Sequence, residues 1–266
     1  MRDISSRVRL SVTEPADLVF SVAVAFTNTI ESETLTVTLD GSPLDAAAIV
    51  ELTDAHGTRL HRVAAPAGVL EVAYSATVSG STPLDAEAMD HVEYLRPSRY
   101  CDSDRLANVA FSHLGTRQGW DLVETARRWA LENIVYAPGS TDPVDGALET
   151  YLSREGVCRD SSHLIIAFLR ARGIPARLVS AYAPGLVPMD FHAVVEVLMD
   201  GEWFVVDGTG LASRPALVRI ATGRDAADTA FLTIVSGRAD LLSMEVTAIS
   251  RGQLPYDDGR QRVRIG

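Results

Sequence analysis

Gly156-Val157-Cys158-Arg159-Asp160-Ser161-Ser162-His163-Leu164 opens the stretch on which the reading of this chain turns. Apolar residues at Leu164, Ile165, Phe168 and Leu169 then recur at helical spacing, and Gly173-Ile174-Pro175 stops the run. The pattern predicts a helix with one buried face and Cys158 on its first turn, entered through a glycine that lets the chain turn sharply. The free amide groups and dipole at a helix N-terminus favour negative charge, so a thiol placed there is biased toward the nucleophilic thiolate. Asp160, a carboxylate in the same turn, suits the dipole and the unpaired amides.

Downstream, residues 176–182 read as a strand and 183–190 as a loop containing Pro and Gly. Residues 191–199 and 202–207 read as two strands joined by Asp200-Gly201, a strong signal for a two-residue hairpin. That loop length sets the register: Met199 faces Glu202, Leu198 faces Trp203 and, by continuation, Val194 faces Asp207. Side chains alternate, so His192, Val194, Glu196 and Leu198 share a face with Asp207, Val205 and Trp203. His192 then lies diagonally across from Asp207, at roughly 7 Å along the backbone, within reach of an imidazole–carboxylate contact. A bulge would flip this parity.

A thiol at a helix start and an imidazole oriented by a carboxylate are what thiol-based acyl transfer needs. Cys158 is the candidate nucleophile, His192 takes or stabilises its proton, and Asp207 fixes the ring and its tautomer. The Cys158 amide is a candidate oxyanion donor. Blander readings stand beside this one: a packing cysteine, a satisfied strand histidine, and a turn at Asp207-Gly208. A zinc reading would draw on Cys158, Asp160, His163 and His192, but Cys158 and His163 match poorly on a helical face, and no metal or cofactor is expected.

The rest of the chain frames this segment. Its 266 residues, 47% hydrophobic and 22% charged, suffice for one large or two modest domains. A net charge of -11 excludes general nucleic-acid and anionic-membrane binding, because both need basic patches. Arg260, Arg262 and Arg264 gather at the C-terminus and read as a solvated tail. The first residues show no signal-peptide core and no apolar run approaches a bilayer span, so a cytoplasmic location is expected, with no membrane partner. Two cysteines, Cys101 and Cys158, make no disulfide framework.

Short alternating segments fill residues 8–78 and predict a β-sandwich-like N-terminal domain. His56, His61 and His91 fall in or after it and read as surface histidines, since no acidic or thiol ligands group with them. Helical patterns begin after Arg96-Pro97-Ser98-Arg99-Tyr100, with helices predicted over 104–113, 121–133 and 143–154. The expected division is 1–95, β-rich; 96–250, catalytic core with closing strands; and 251–266, tail. The fold class is α+β.

The run from Gly156 to Leu164 resembles the bacterial transglutaminase-like superfamily. So do Arg172-Gly173-Ile174-Pro175-Ala176-Arg177, His192-Ala193-Val194-Val195-Glu196-Val197, and Trp203, Val205, Asp207, Gly208 and Thr209, with Cys, His and Asp in the family's order. The segments 94–100, 223–228 and 241–249 look like the family's linker, post-core segment and closing strand. The resemblance implies a papain-like core and a thiol attack on amide bonds, with Cys158 as nucleophile, His192 as base and Asp207 as orienting group. Ser161, Ser162, Val194 and Gly208 depart from residues common among relatives, and Ser161 and Val194 border the implied site. Related folds supply a second oxyanion donor upstream of the cysteine; Tyr136 is a candidate, against a plainer role as a core or loop aromatic. The expected function is a peptidase or amidohydrolase acting through a thioester on a peptide or protein substrate. Alternatives are transglutaminase or deamidase action on glutamine side chains, or a non-catalytic peptide-binding module. No acidic loop of calcium-binding spacing is present.

Overall fold

The computed structural model describes residues 1–266. The N-terminal strands are β1 (Arg2–Phe20), β2 (Asn28–Leu39), β3 (Ser42–Pro43), β4 (Ile49–Thr53), β5 (Arg59–Ala65) and β6 (Gly68–Ser81). Then come α1 (Asp90–Glu93), α2 (Ala107–Leu114), α3 (Gly119–Asn133), β7 (Val135–Tyr136), α4 (Ala147–Ser153), β8 (Glu155–Gly156) and α5 (Cys158–Ala171). The chain continues as β9 (Ala176–Tyr182), β10 (Phe191–Met199), β11 (Glu202–Val206), β12 (Val218–Gly223), α6 (Ala226–Thr229) and β13 (Leu232–Ser250). No helix is long and apolar enough to cross a membrane.

The N-terminal region is rich in sheet, and its strands join in one antiparallel system built on β1. Residues 2–12 of β1 pair with β6 and residues 16–20 with β5, so one long strand serves two wings. Both wings line a single core containing Leu10, Leu18, Phe20, Val63, Leu70 and Val72. A strand expected to close the catalytic core behaves otherwise: β13 pairs with β1 along nearly its whole length. Its buried Ala239, Val246 and Ala248 belong to the N-terminal core, and that burial decides the pairing. The region around 241–249 therefore completes the first sheet, not the second.

The second sheet has the order β11-β10-β9-β12, antiparallel throughout. The α5 helix packs on the face carrying Leu178, Val195, Val197, Phe204 and Val206, and α2, α3 and α4 cover its other sides. Every α5 residue from Asp160 to Arg170 is buried, more than the single buried face its apolar spacing predicts. Enclosure explains this, because a helix covered on all sides exposes no stripe. The two sheets share apolar contacts: Tyr182, Val218, Ile220 and Ala221 enter the N-terminal core. Tyr182 Oη also lies 2.8 Å from the Val22 carbonyl and 2.9 Å from Ser6 Oγ.

The C-terminal residues are not a solvated tail. Val263 and Ile265 are buried beneath the second sheet, and the Val205 N–H donates to the Val263 carbonyl at 2.8 Å. An edge strand leaves backbone groups unpaired, and here the returning chain engages one of them on β11. Two of the three histidines also depart from a surface reading. His61 is 3% exposed and bonds Glu51, and His56 bonds the Tyr94 hydroxyl at 2.7 Å; His91 is exposed.

Candidate active site

Cys158 is the first residue of α5, so its N–H has no acceptor within the helix. Asp160 fixes the entry: its Oδ2 accepts from the Val157 N–H at 2.9 Å and from Thr141 Oγ1 at 2.8 Å. Arg159 grips the other oxygen through Nε and Nη2, at 3.0 and 2.8 Å. Gly156 is required here for space, not for a sharp turn. A Cβ on it would sit 2.7 Å from Asp160 Cβ, and its backbone is not in the left-handed region. These contacts hold the thiol-bearing turn still, and Cys158 itself stays partly exposed.

The hairpin register agrees with the two-residue loop. Asp200 and Gly201 both take positive φ, 54° and 82°, as the primed turn requires, and Leu198 faces Trp203 while Glu196 faces Val205. His192 and Asp207 consequently share a face, and His192 Nε2 lies 3.0 Å from Asp207 Oδ2 with both side chains buried. Thr209 occupies the other carboxylate oxygen, donating from its N–H and its hydroxyl at 2.7 Å each. On the opposite face, Ser162 Oγ donates to the Ala193 carbonyl at 3.1 Å, fastening the first turns of α5 to the start of β10.

These placements perturb the imidazole. Burial disfavours its charged form, but the Asp207 hydrogen bond and the neighbouring Cys158 thiol outweigh burial and push the His192 pKa up to about 10. Burial would raise the Asp207 carboxyl, yet His192 and the two Thr209 bonds hold it below the usual range. His192 Nδ1 is buried with no hydrogen-bond partner. One ring nitrogen is thus committed to the carboxylate, and the other is left over on a ring that feels the thiol.

Tyr136 sits in β7, which pairs in parallel with β8 so that Tyr136 stands beside Gly156. Its ring is 46% exposed, and partial burial, then the charges of Cys158, Asp190, Asp207 and Asp160, push its pKa up to about 12. The hydroxyl therefore keeps its proton at neutral pH. One participant escaped the sequence reading. Thr209 could have been found from the Asp-x-Thr spacing, which favours a side-chain turn.

The zinc set does not converge. Asp160 is spent on Val157, Thr141 and Arg159. His163 stacks on Tyr100 and accepts from the Ala226 N–H at 3.1 Å, and burial drives its pKa down to about 4. No group of three or more His, Cys, Asp or Glu side chains is arranged to hold a metal ion. The same contacts join segments distant in sequence: Asp225 accepts from the Tyr100 N–H, and buried Arg170 donates to the carbonyls of Arg96 and Arg224. Both cysteines are free, and burial pushes the Cys101 thiol up.

Comparison with known proteins points one way. Residues 114–208 match the family model of the transglutaminase-like superfamily. The crystal structure of a "putative cysteine protease" from Cytophaga hutchinsonii is 32% identical, with a TM-score of 0.86 over 98% of this chain and 95% of that one. An uncharacterized protein of Mycobacterium leprae is 30% identical over 156 residues, 55% of this chain and 56% of that protein. One of Mycobacterium tuberculosis is 45% identical over 64 residues, 23% of this chain and 20% of that protein. The chain thus matches little more than half the length of the first of these mycobacterial relatives and a fifth of the second.

Proposed function

Because this chain belongs to the transglutaminase-like superfamily, we propose that it is a cysteine-dependent acyl-transfer enzyme acting on a peptide or isopeptide amide, with water as acceptor. Cys158 is the nucleophile, His192 the acid and base, and Asp207 the orienting carboxylate. The observation that carries this reading is the buried His192 ring, held by Asp207 through Nε2 while Nδ1 lacks a partner beside Cys158.

The chemistry balances with these groups. The thiolate sulfur attacks the amide carbonyl, and the oxyanion forms against the Cys158 N–H and the Tyr136 hydroxyl. The C–N bond breaks as the imidazolium gives its proton to the departing amine. Water then attacks the thioester carbonyl while His192 takes its proton, and the C–S bond breaks, releasing a carboxylic acid and the thiolate with imidazolium restored. Asp207 keeps the ring aimed and stabilises its charged form throughout.

Alkylation tests the first requirement. Iodoacetamide at mildly acidic pH, followed by peptide mapping, should modify Cys158 and spare Cys101; equal, slow modification of both would sink the nucleophile assignment. Profiling with peptide and glutamine-donor libraries, with and without a primary amine, tests the acceptor. Product that appears only with amine would replace water by an amine.

A further inference from the structure

The returning C-terminal segment builds a second feature. Residues 258–262, α3 and the segment carrying Arg214 enclose a cleft of about 660 Å³. Five guanidinium groups line it, from Arg127, Arg128, Arg214, Arg260 and Arg262, on a chain whose net charge is -11. Two of them are spent on structure: Arg127 makes two bonds to Glu124 at 2.8 and 2.7 Å, and Arg214 two to Asp257 at 2.8 and 2.7 Å. The other three are not. Arg128 is exposed and stands 3.8 Å from the already occupied Glu124, Arg260 is exposed, and Arg262 lies over the Trp120 ring at 4.6 Å.

The carboxylates of the lining oppose these cations only in part, Glu124 standing 3.8 Å from Arg128. Glu124 serves Arg127, and Asp258 turns onto its own loop, accepting from the N–H groups of Arg260 and Gln261 at 2.9 and 3.2 Å. Trp120 Nε1 also lacks an acceptor. The cleft touches the catalytic sheet, for Val205 and Val206, directly before Asp207, form part of its wall. Arg127 is close enough to feel the Asp207 charge.

We propose that this cleft binds an acidic peptide segment, Asp or Glu side chains of the substrate, and so selects acidic substrates for the thiol. The substrate role rests on the acyl-transfer reading above; the binding itself does not need the thiol. Guanidinium forks match carboxylates, and a cleft of this volume takes a few side chains. A nucleic acid would extend beyond it over a chain whose net charge of -11 disfavours phosphate.

The test uses the full chain carrying Cys158→Ala, titrated with hexaglutamate by calorimetry and tryptophan fluorescence. Hexalysine, inorganic phosphate and hexathymidylate are the comparison probes. Saturable hexaglutamate binding that weakens with salt is expected, and hexalysine should not bind. Adding Arg128→Gln, Arg260→Gln and Arg262→Gln should weaken binding about tenfold or more, as three partly exposed charge contacts allow. Arg128→Gln with Arg260→Gln alone, which leaves Arg262 on Trp120, should fall between the two, and thermal melts should stay unchanged. Binding that ignores these substitutions, or no saturation, would overturn the proposal. So would phosphate or hexathymidylate binding as tightly as the peptide. Failure here leaves the alkylation of Cys158 untouched, and failure of alkylation leaves this titration untouched, so the two readings fall separately.

Discussion

His192 and Glu196 stand four residues apart on one face of β10, both buried, and they have opposite accounts of their hydrogen bonds. Glu196 is saturated: Arg177 reaches Oε2 at 2.8 Å, and Arg219 engages both carboxylate oxygens while also donating to Thr222 and the Ile265 carbonyl. Burial would raise its carboxyl, but Arg219 and Arg177 drive the pKa down to about 2. His192 keeps one nitrogen without a partner, next to a thiol. A buried polar group left unpaired costs stability, so a fold retains one where it has a use, and satisfied clusters do scaffold work. Strand β10 carries both kinds, with the half-satisfied imidazole near its start and the saturated carboxylate further along.

Four substitutions would break or sharpen that contrast. Cys158→Ala should lower turnover of any amide substrate by about 10⁴-fold or more while leaving the urea midpoint in place. Retained activity would remove the thiol from the mechanism. Asp207→Asn should cost about 10³-fold or more in kcat with the fold kept, by loosening the ring and favouring the wrong tautomer.

The same substitution has a pH signature. The wild-type imidazolium persists as pH rises past the ordinary value of 6.5, because its folded pKa is raised to about 10. Stability from the raised His192 is therefore complete below about pH 6.5 and lost as pH climbs through about 10. Asp207 works in the other sense, contributing above its ordinary carboxylate range and losing its contribution as pH falls below it. The alkaline limb of kcat/KM should follow His192 in the wild type and move to lower pH in Asp207→Asn, read from a pH–rate profile of the free enzyme. A limb that stays put would break the assignment of His192.

Glu196→Gln should act on the scaffold instead. It leaves Arg177 and Arg219 buried without their counter-charge, at about 3–5 kcal/mol, visible as a lowered urea midpoint with an unchanged alkylation rate of folded protein. A loss of alkylation without a loss of stability would merge the two regions into one. The smallest effect belongs to Thr209→Val, which removes the hydroxyl bond to Asp207 but keeps the backbone one. About tenfold in kcat is expected, measured under the same assay.

Local chemistry made the two halves of the site legible. Asp200-Gly201 takes a primed turn because few other residue pairs tolerate two positive φ values, and the period-two alternation then carries the register seven residues along to His192 and Asp207. The α5 helix likewise follows from apolar spacing and the stop at Gly173, and Asp160 caps it as a first-turn carboxylate should. The segments 94–100 and 223–228, likened to the family's linker and post-core segment, prove to be tied through Tyr100, Asp225, Arg170 and His163.

Where sequence reasoning erred, the deciding contacts lay far along the chain. The strand Leu232–Ser250 pairs with β1, and its buried Ala239, Val246 and Ala248 join the N-terminal core. Arg260 and Arg262 look like a free tail until Val263 and Ile265 bury behind the second sheet and return them to α3. The sequence by itself determined the α5 helix, the hairpin register and the three candidate residues, because turn chemistry and side-chain periodicity act between near neighbours. Only the tertiary structure decided that the Asp207 carboxylate is shared between His192 and Thr209, and that five arginines line one cleft. Those outcomes depend on burial shared between distant segments, which no local pattern encodes.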